Sequence, residues 1–225
     1  MNQGYLPQSR TSFWEKLNCT RLFVVIQGTI GGLAGIVHGI FEIMLGNKPT
    51  VGLIFDPATG AFTLLPTYTL SGIATVCVGL ALIIWTIGFI HRKNGPSIFL
   101  FLCILLFLAG GGIAQVGFFL IAWGVSMRIN RTSSWWRGDI SGNRKRRWAR
   151  LWPVFLTAGY VFLLIGIAIW LILTPPGTSF PEHSTAYWIC WSSLFIGLVL
   201  QMLTIVSGFA RDKDQLERVP NNLHQ

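Results

Sequence analysis

The sequence predicts an all-α integral membrane protein, a helical bundle of four full spans plus a short returning helix pair at residues 97–127. Hydrophobic residues make up 52% of the chain and charged residues only 11%, against roughly 25% charged residues in a soluble domain. Long apolar runs alternate with polar or basic connections, at residues 22–45, 68–90, 97–127, 151–174 and 186–210. The third run carries Gly110, Gly111 and Gly112 at its centre.

The net charge of +9 does not indicate nucleic-acid binding, because the basic residues lie between apolar runs rather than on a soluble module. Basic connections beside membrane helices are expected from the positive-inside rule and from anionic lipid. The ten Trp residues also suit a protein with aromatic belts at the bilayer interfaces.

Residues 1–21 are polar and basic, and an apolar run follows them at 22–45. A basic leader before an apolar run resembles a signal peptide. That run is long enough to span a bilayer and no small-residue cleavage site follows it, so we expect a retained first helix. The predicted organisation is a cytoplasmic segment at 1–21, one transmembrane helical domain at 22–210 and a cytoplasmic tail at 211–225.

The first helix has one face of small and polar residues. At 100° per residue these fall within an arc of about 140°: Gln27, Gly28, Gly31, Ala34, Gly35, His38, Gly39 and Glu42. Small residues allow close approach of another membrane helix. We therefore expect this face to lie inside the bundle and the aliphatic remainder to contact lipid.

The connection after the first helix contains two β-prone runs, VGLIF and AFTLL, around a Pro-containing turn at residues 56–60. This pattern predicts either a small outer β-hairpin at 51–65 or an irregular loop.

Counting charges distinguishes two paths for residues 97–127. A single crossing leaves twelve Lys and Arg residues inside and five outside, whereas a returning path leaves sixteen inside and Lys48 alone outside. One helix of this length would measure about 46 Å against a hydrocarbon core of roughly 30 Å. The returning path therefore fits better, as a re-entrant hairpin or as two short helices. It places both termini in the cytoplasm, in a plasma or bacterial inner membrane.

The segment at residues 128–150 combines basic and aromatic residues before the span at 151–174. We expect it to contact anionic lipid headgroups, or alternatively a protein partner. The lipid-contacting cluster is Arg144, Lys145, Arg146 and Arg147.

His38 and Glu42 form the best candidate site, because ionisable residues within a membrane span are costly and often functional. Four residues apart on one face, they could carry a proton, hold a cation or bind a polar ligand; alternatively, they lock packing by a hydrogen bond. Two ligands are too few for a metal site, and no metal or cofactor is predicted. The secondary candidates on the outer side are Asp56, Glu182 and His183. Polar residues expected to bond between helices are Gln27, Gln115 and Gln201.

These features favour a transporter-like or channel-like protein, or one that binds a small polar ligand or cation near its outer face. The alternative is a non-catalytic membrane scaffold or packing subunit, assembled as a homo-oligomer or with another membrane protein. The third hypothesis is a membrane enzyme that uses His38 and Glu42 near the outer surface, although the sequence has no Walker loop, no Ser-His-Asp order and no HExxH motif.

The segment Gly35-Ile36-Val37-His38-Gly39-Ile40-Phe41-Glu42, together with the triple glycine at 110–112, resembles a group of uncharacterised prokaryotic multi-pass membrane proteins. The resemblance covers less than half of the chain and implies no activity.

Overall fold

The computed structural model describes residues 18–52, 61–112, 115–129, 142–173 and 184–218. These residues form six helices and no strand: α1 (Cys19–Leu45), α2 (Tyr68–Phe89), α3 (Gly95–Ala109), α4 (Val116–Ser126), α5 (Gly142–Leu173) and α6 (Thr185–Arg218). Helices α1, α2, α5 and α6 are long and apolar enough to cross a membrane, while α3 and α4 are shorter apolar helices. The predicted fold class, four long helices and a short pair, is confirmed.

The helix starts follow from local capping. The Asn18 side chain accepts a hydrogen bond from the Arg21 amide at 2.8 Å, and Thr67 caps α2 through the Leu70 amide. Pro96 lies in the first turn of α3, where its missing N–H costs nothing. Side-chain and proline signals at these three positions therefore set where α1, α2 and α3 begin.

Helices α1 and α2 form an antiparallel pair that crosses at glycines. A β-carbon on Gly39 would lie 2.6 Å from the carbonyl oxygen of Gly72, and one on Gly32 would lie 2.8 Å from that of Gly79. Because a real side chain cannot occupy such a space, small residues are what permit this contact. Helices α5 and α6 form the second pair, where Gly166 packs against Leu194.

The glycine face of α1 is inside the bundle, as predicted. The glycines of this face are buried, as are Gln27 and Glu42. On the opposite side of α1, Leu33, Val37 and Ile40 are exposed. Two residues depart from the prediction, since Ala34 is exposed and Gly32 is buried. The buried face is therefore rotated by a few tens of degrees from the predicted centre.

Helices α3 and α4 pack on the first pair and run in opposite directions. One apolar cluster contains Phe23 near the start of α1, Ile90 after α2, Phe99 near the start of α3 and Val125 at the end of α4. These termini consequently share one end of the bundle, here named the Asn18 end, opposite the Leu45 end. The ring of Phe99 meets that of Phe119 edge-on at 6.5 Å. With 15 and 11 residues, the two helices measure about 22 and 16 Å.

The two helix pairs are joined by polar contacts between α1 and α6. Gln201 Nε2 donates to Gln27 Oε1 at 3.2 Å. At the Asn18 end the Asp212 carboxylate accepts from the Cys19 amide at 2.6 Å and the Thr20 amide at 3.0 Å. A residue near the end of α6 thus caps α1, which brings the end of α6 and the beginning of α1 together.

Some helix boundaries differ from the predicted runs. α6 continues past residue 210 to Arg218, and α5 begins at Gly142, so that Pro153 lies inside the helix. The added turns of α5 and α6 lie beside each other and line a common cavity, and Arg and Lys are good helix formers. The polar segments thus continue the helices beyond the apolar runs.

The centre of the β-hairpin predicted at 51–65 lies outside the described residues. The flanking backbone pairs in antiparallel fashion, with the Thr50 amide donating to Pro66 at 3.0 Å and the Tyr68 amide to Lys48 at 3.1 Å. An isolated bridge joins Pro49 and Thr67.

Candidate functional site

A backbone break separates α3 from α4. Gly110 has φ +117° and Gly112 has φ +77°, a left-handed conformation that glycine adopts without steric cost. The Gly111 amide donates to Leu106 O at 2.8 Å, which closes the last turn of α3. The triple glycine is therefore the turn of the returning pair, as its sequence predicted.

The last carbonyl of α3 is surrounded by hydroxyl groups. Ala109 O accepts from Ser71 Oγ at 2.5 Å, from Thr75 Oγ1 at 2.8 Å and from Thr63 Oγ1 at 3.4 Å. Ser71 and Thr75 come from the first two turns of α2, whereas Thr63 comes from the connection before it. Hydroxyls of two segments thus stabilise the negative end of a short helix.

The connection at residues 61–65 also closes over the break. The Leu64 amide donates to Leu108 O at 3.0 Å, and the ring of Phe62 packs against that of Phe107 at 5.5 Å. Backbone polar groups that lie outside a helix need other groups to satisfy them when they are buried. This segment provides some of those groups.

The carboxylate of Glu42 also lies at the break between α3 and α4. Its exposure is 1%, and a β-carbon on Gly110 would lie 2.7 and 2.8 Å from the two carboxylate oxygens. The same β-carbon would lie 2.5 Å from Ser71 Oγ. The Glu42 carboxylate and the Ser71 hydroxyl therefore both border the space beside Gly110.

His38 lies one turn further along α1 toward the Asn18 end. Its Nε2 is 3.8 Å from Glu42 Oε1, and its side chain is 22% exposed. That distance exceeds a hydrogen bond but permits an ionic contact. A β-carbon on Gly112 would lie 3.9 Å from His38 Nδ1 and 4.0 Å from Gln115 Nε2. The imidazole and the Gln115 amide thus both face Gly112.

The site consequently contains His38, Glu42 and Gln115 from the residues singled out in the sequence. Gln27 and Gln201 belong to a separate network, in which Gln27 Oε1 also accepts from Tyr160 at 2.7 Å. The secondary candidates Asp56, Glu182 and His183 lie outside the described residues. Within the described ranges, no group of three or more His, Cys, Asp or Glu side chains could hold a metal ion.

The basic cluster lies at the Asn18 end. Arg144, Arg146 and Arg147 are exposed, whereas the Lys145 side chain is not described. Arg146 lines a cavity together with Arg150 and Arg211. The sequence reasoning did not single out these last two residues, although the spacing of 146 and 150 places them on one helix face.

The sequence gives no role to the hydroxyl groups at the break. Ser71 and Thr75 are one turn apart on α2 and so share a face, and this spacing is visible in the sequence although their partner is not. Thr63 and the Ala109 carbonyl carry no such signal, since one lies in an irregular segment and the other is a backbone group.

Comparisons with protein-family models, with curated proteins and with solved structures find no match to this chain. The four long apolar helices identify the class, a multi-pass membrane protein. The resemblance to prokaryotic multi-pass proteins stays a prediction.

Proposed function

We propose that this membrane protein binds a small cation, a proton or sodium, at the break between α3 and α4, as part of a transporter-like or channel-like activity. The observation that carries the proposal is the Glu42 carboxylate, which is 1% exposed and lies 2.7 and 2.8 Å from the position of a β-carbon on Gly110. An acidic group within an apolar bundle is costly unless it is protonated or compensated by a cation or by hydrogen-bond donors.

The chemistry of the site supports a hard cation. A carboxylate, a backbone carbonyl and the hydroxyls of Ser71, Thr75 and Thr63 converge there, and oxygen ligands of this kind suit small hard cations. In discontinuous membrane helices, carbonyls at the end of a half-helix coordinate sodium or protons. The Ala109 carbonyl ends such a half-helix, and the hydrogen bonds that it accepts hold the hydroxyl oxygens of Ser71 and Thr75 beside the break.

The distribution of basic residues supports one orientation of the helix bundle in the membrane. Arg21, Arg92, Lys93 and Arg128 lie in or beside helix termini at the Asn18 end, and Lys48 follows α1 at the Leu45 end. We infer from the positive-inside rule that the Asn18 end faces the cytoplasm of a plasma or inner membrane. Glu42 then lies one turn from the outer end of α1, and α3 and α4 form a re-entrant pair.

Cation-dependent stability of the purified protein tests the proposal. In detergent, we expect the unfolding temperature to rise when sodium replaces choline, and to change with pH as protons compete. Glu42→Gln keeps the size of the side chain and removes its charge, so the sodium dependence should disappear. Asp214→Asn, which neutralises a carboxylate at the opposite end, should retain it.

The outcomes separate binding from packing. A folded Glu42→Gln protein with unchanged sodium and pH dependence overturns the proposal. If that variant fails to fold, Ser71→Ala and Thr63→Ala must weaken the sodium response while leaving helix content intact. Sodium flux into proteoliposomes, abolished by Glu42→Gln, would extend binding to transport.

The scaffold alternative rests on small-residue faces that bind other membrane proteins. Here Gly28 and Gly39 contact Thr86 and Gly72 of α2, and Gly35 contacts Leu106 of α3. The glycine face of α1 is therefore occupied within the same chain, which weakens that alternative.

A further inference from the structure

A second polar site lies at the Asn18 end, between the first turns of α5 and the last turns of α6. Its cavity has a volume of about 450 Å³ and is lined by Arg146, Ala149, Arg150, Arg211, Asp214 and Gln215. We propose that this cavity binds the phosphate of an anionic phospholipid headgroup. The site is independent of the cation site, with which it shares no residue.

The charge of the lining favours an anion. Three guanidinium groups and one carboxylate surround the cavity, which leaves a formal excess of positive charge. Arg146 and Arg150 are one turn apart on α5, and like charges at this spacing repel each other. A phosphate that contacts both would relieve that repulsion, and guanidinium groups match phosphate oxygens by paired hydrogen bonds.

The third arginine is held in place by an aromatic ring. The guanidinium of Arg211 lies over Trp152 at 5.2 Å from the ring centroid, and Trp152 is buried. This cation–π contact restrains a side chain that is otherwise flexible. Because the restraint precedes binding, less conformational entropy is lost when Arg211 engages an anion.

The position of the cavity indicates lipid as the source of the phosphate. The apolar part of α5 that is long enough to span a membrane begins at Arg146, so Arg146 and Arg150 lie where the span meets the headgroup layer. Trp148 and Trp152 follow within the next turns, as aromatic residues do at membrane interfaces. Basic pockets between membrane helices on the cytoplasmic side bind anionic headgroups.

Retention of phosphatidylglycerol, measured by native mass spectrometry, tests the assignment. The double variant Arg150→Gln with Arg211→Gln should retain this lipid about 25-fold less well than the wild type, at roughly fivefold for each charge near the surface. Arg92→Gln with Lys93→Gln removes the same charge from exposed positions at the same end of the bundle, outside the cavity lining. That control should retain clearly more lipid than the cavity variant, because it removes no paired hydrogen bond to the phosphate.

The remaining measurements distinguish lipid phosphate from inorganic phosphate, and binding in the cavity from a diffuse effect of surface charge. Phosphatidylcholine should be retained poorly by all variants. Inorganic phosphate, titrated against the lipid-bound protein, should displace little phosphatidylglycerol; full displacement at millimolar phosphate would overturn the lipid assignment. Equal loss in the two double variants would mean a diffuse surface effect and would also overturn it. If the first variant does not fold, Arg150→Lys with Arg211→Lys keeps the charge but should still lose retention, because the paired hydrogen bonds are gone.

Discussion

The carboxylate of Glu42 occupies the space that a side chain on Gly110 would need, with its two oxygens 2.7 and 2.8 Å from that β-carbon position. One residue belongs to the first long helix and the other to the break between the two short helices. The conformation of the break and the position of the carboxylate therefore depend on each other.

Gly110→Ala should destabilise the protein by about 2–5 kcal/mol. The left-handed conformation at φ +117° costs a non-glycine residue about 1–2 kcal/mol, and overpacking against Glu42 and Ser71 adds about 1–3 kcal/mol. Unfolding in mixed detergent micelles measures the loss. Gly117→Ala in α4 is the matched control, because nothing lies within 4 Å of its β-carbon position. Equal stability of the two variants would contradict the geometry of the break.

The network of Gln27, Tyr160 and Gln201 should show energetic coupling. Gln27 Oε1 accepts from both of the other side chains, so Gln27→Ala and Tyr160→Phe remove the same bond. A double-mutant cycle on unfolding free energies should give a coupling of about 0.6 kcal/mol and no more than about 1.7 kcal/mol. Gln27→Ala paired with Cys77→Ala, at an exposed position of α2, should be additive. A cycle without coupling would rule out this bond.

Asp212→Ala should loosen the start of α1. Its carboxylate accepts from the Cys19 and Thr20 amides, and loss of a helix cap costs about 1 kcal/mol. Hydrogen exchange should accelerate at these two amides before it changes elsewhere in α1. Gln215→Ala, at an exposed residue one turn further along α6, should leave their exchange rates unchanged. Unaltered exchange in Asp212→Ala would contradict the cap.

The pKa of His91 should lie below its ordinary value. Partial burial is the first cause, and repulsion by Arg21 and Arg92 adds to it. Because the folded state binds the proton less readily than the unfolded state, this group lowers stability as pH falls from about 6.5 toward the reduced value. Arg21→Gln should raise the pKa, measured by NMR titration of the imidazole, whereas Lys93→Gln should leave it unchanged. A His91 pKa equal to that of the wild type in the Arg21 variant would refute this repulsion.

Much of the fold could be predicted because the bilayer limits what a long apolar run can do. The four long helices follow from four such runs, and the returning pair follows from the charge count and from Gly110, Gly111 and Gly112. The extended ends of α5 and α6 could not be predicted, since their polar residues resemble a connection and become helical by packing on each other.

The candidate site was predictable in part. The spacing of His38 and Glu42 places them on the buried face of α1, and Gln115 lies three residues after Gly112. Their partners depend on tertiary structure, because Thr63 reaches the break from an irregular segment and Ala109 contributes only its backbone oxygen. Periodicity does not identify either of them.

The carboxylate and hydroxyl groups that surround Ala109 and Gly110 come from residues that precede them in the chain. Glu42, Thr63, Ser71 and Thr75 are each synthesised before Ala109 and Gly110. A nascent chain therefore contains these hydroxyl and carboxylate groups before its glycine turn is made. The first helix pair can receive the turn before α5 and α6 exist.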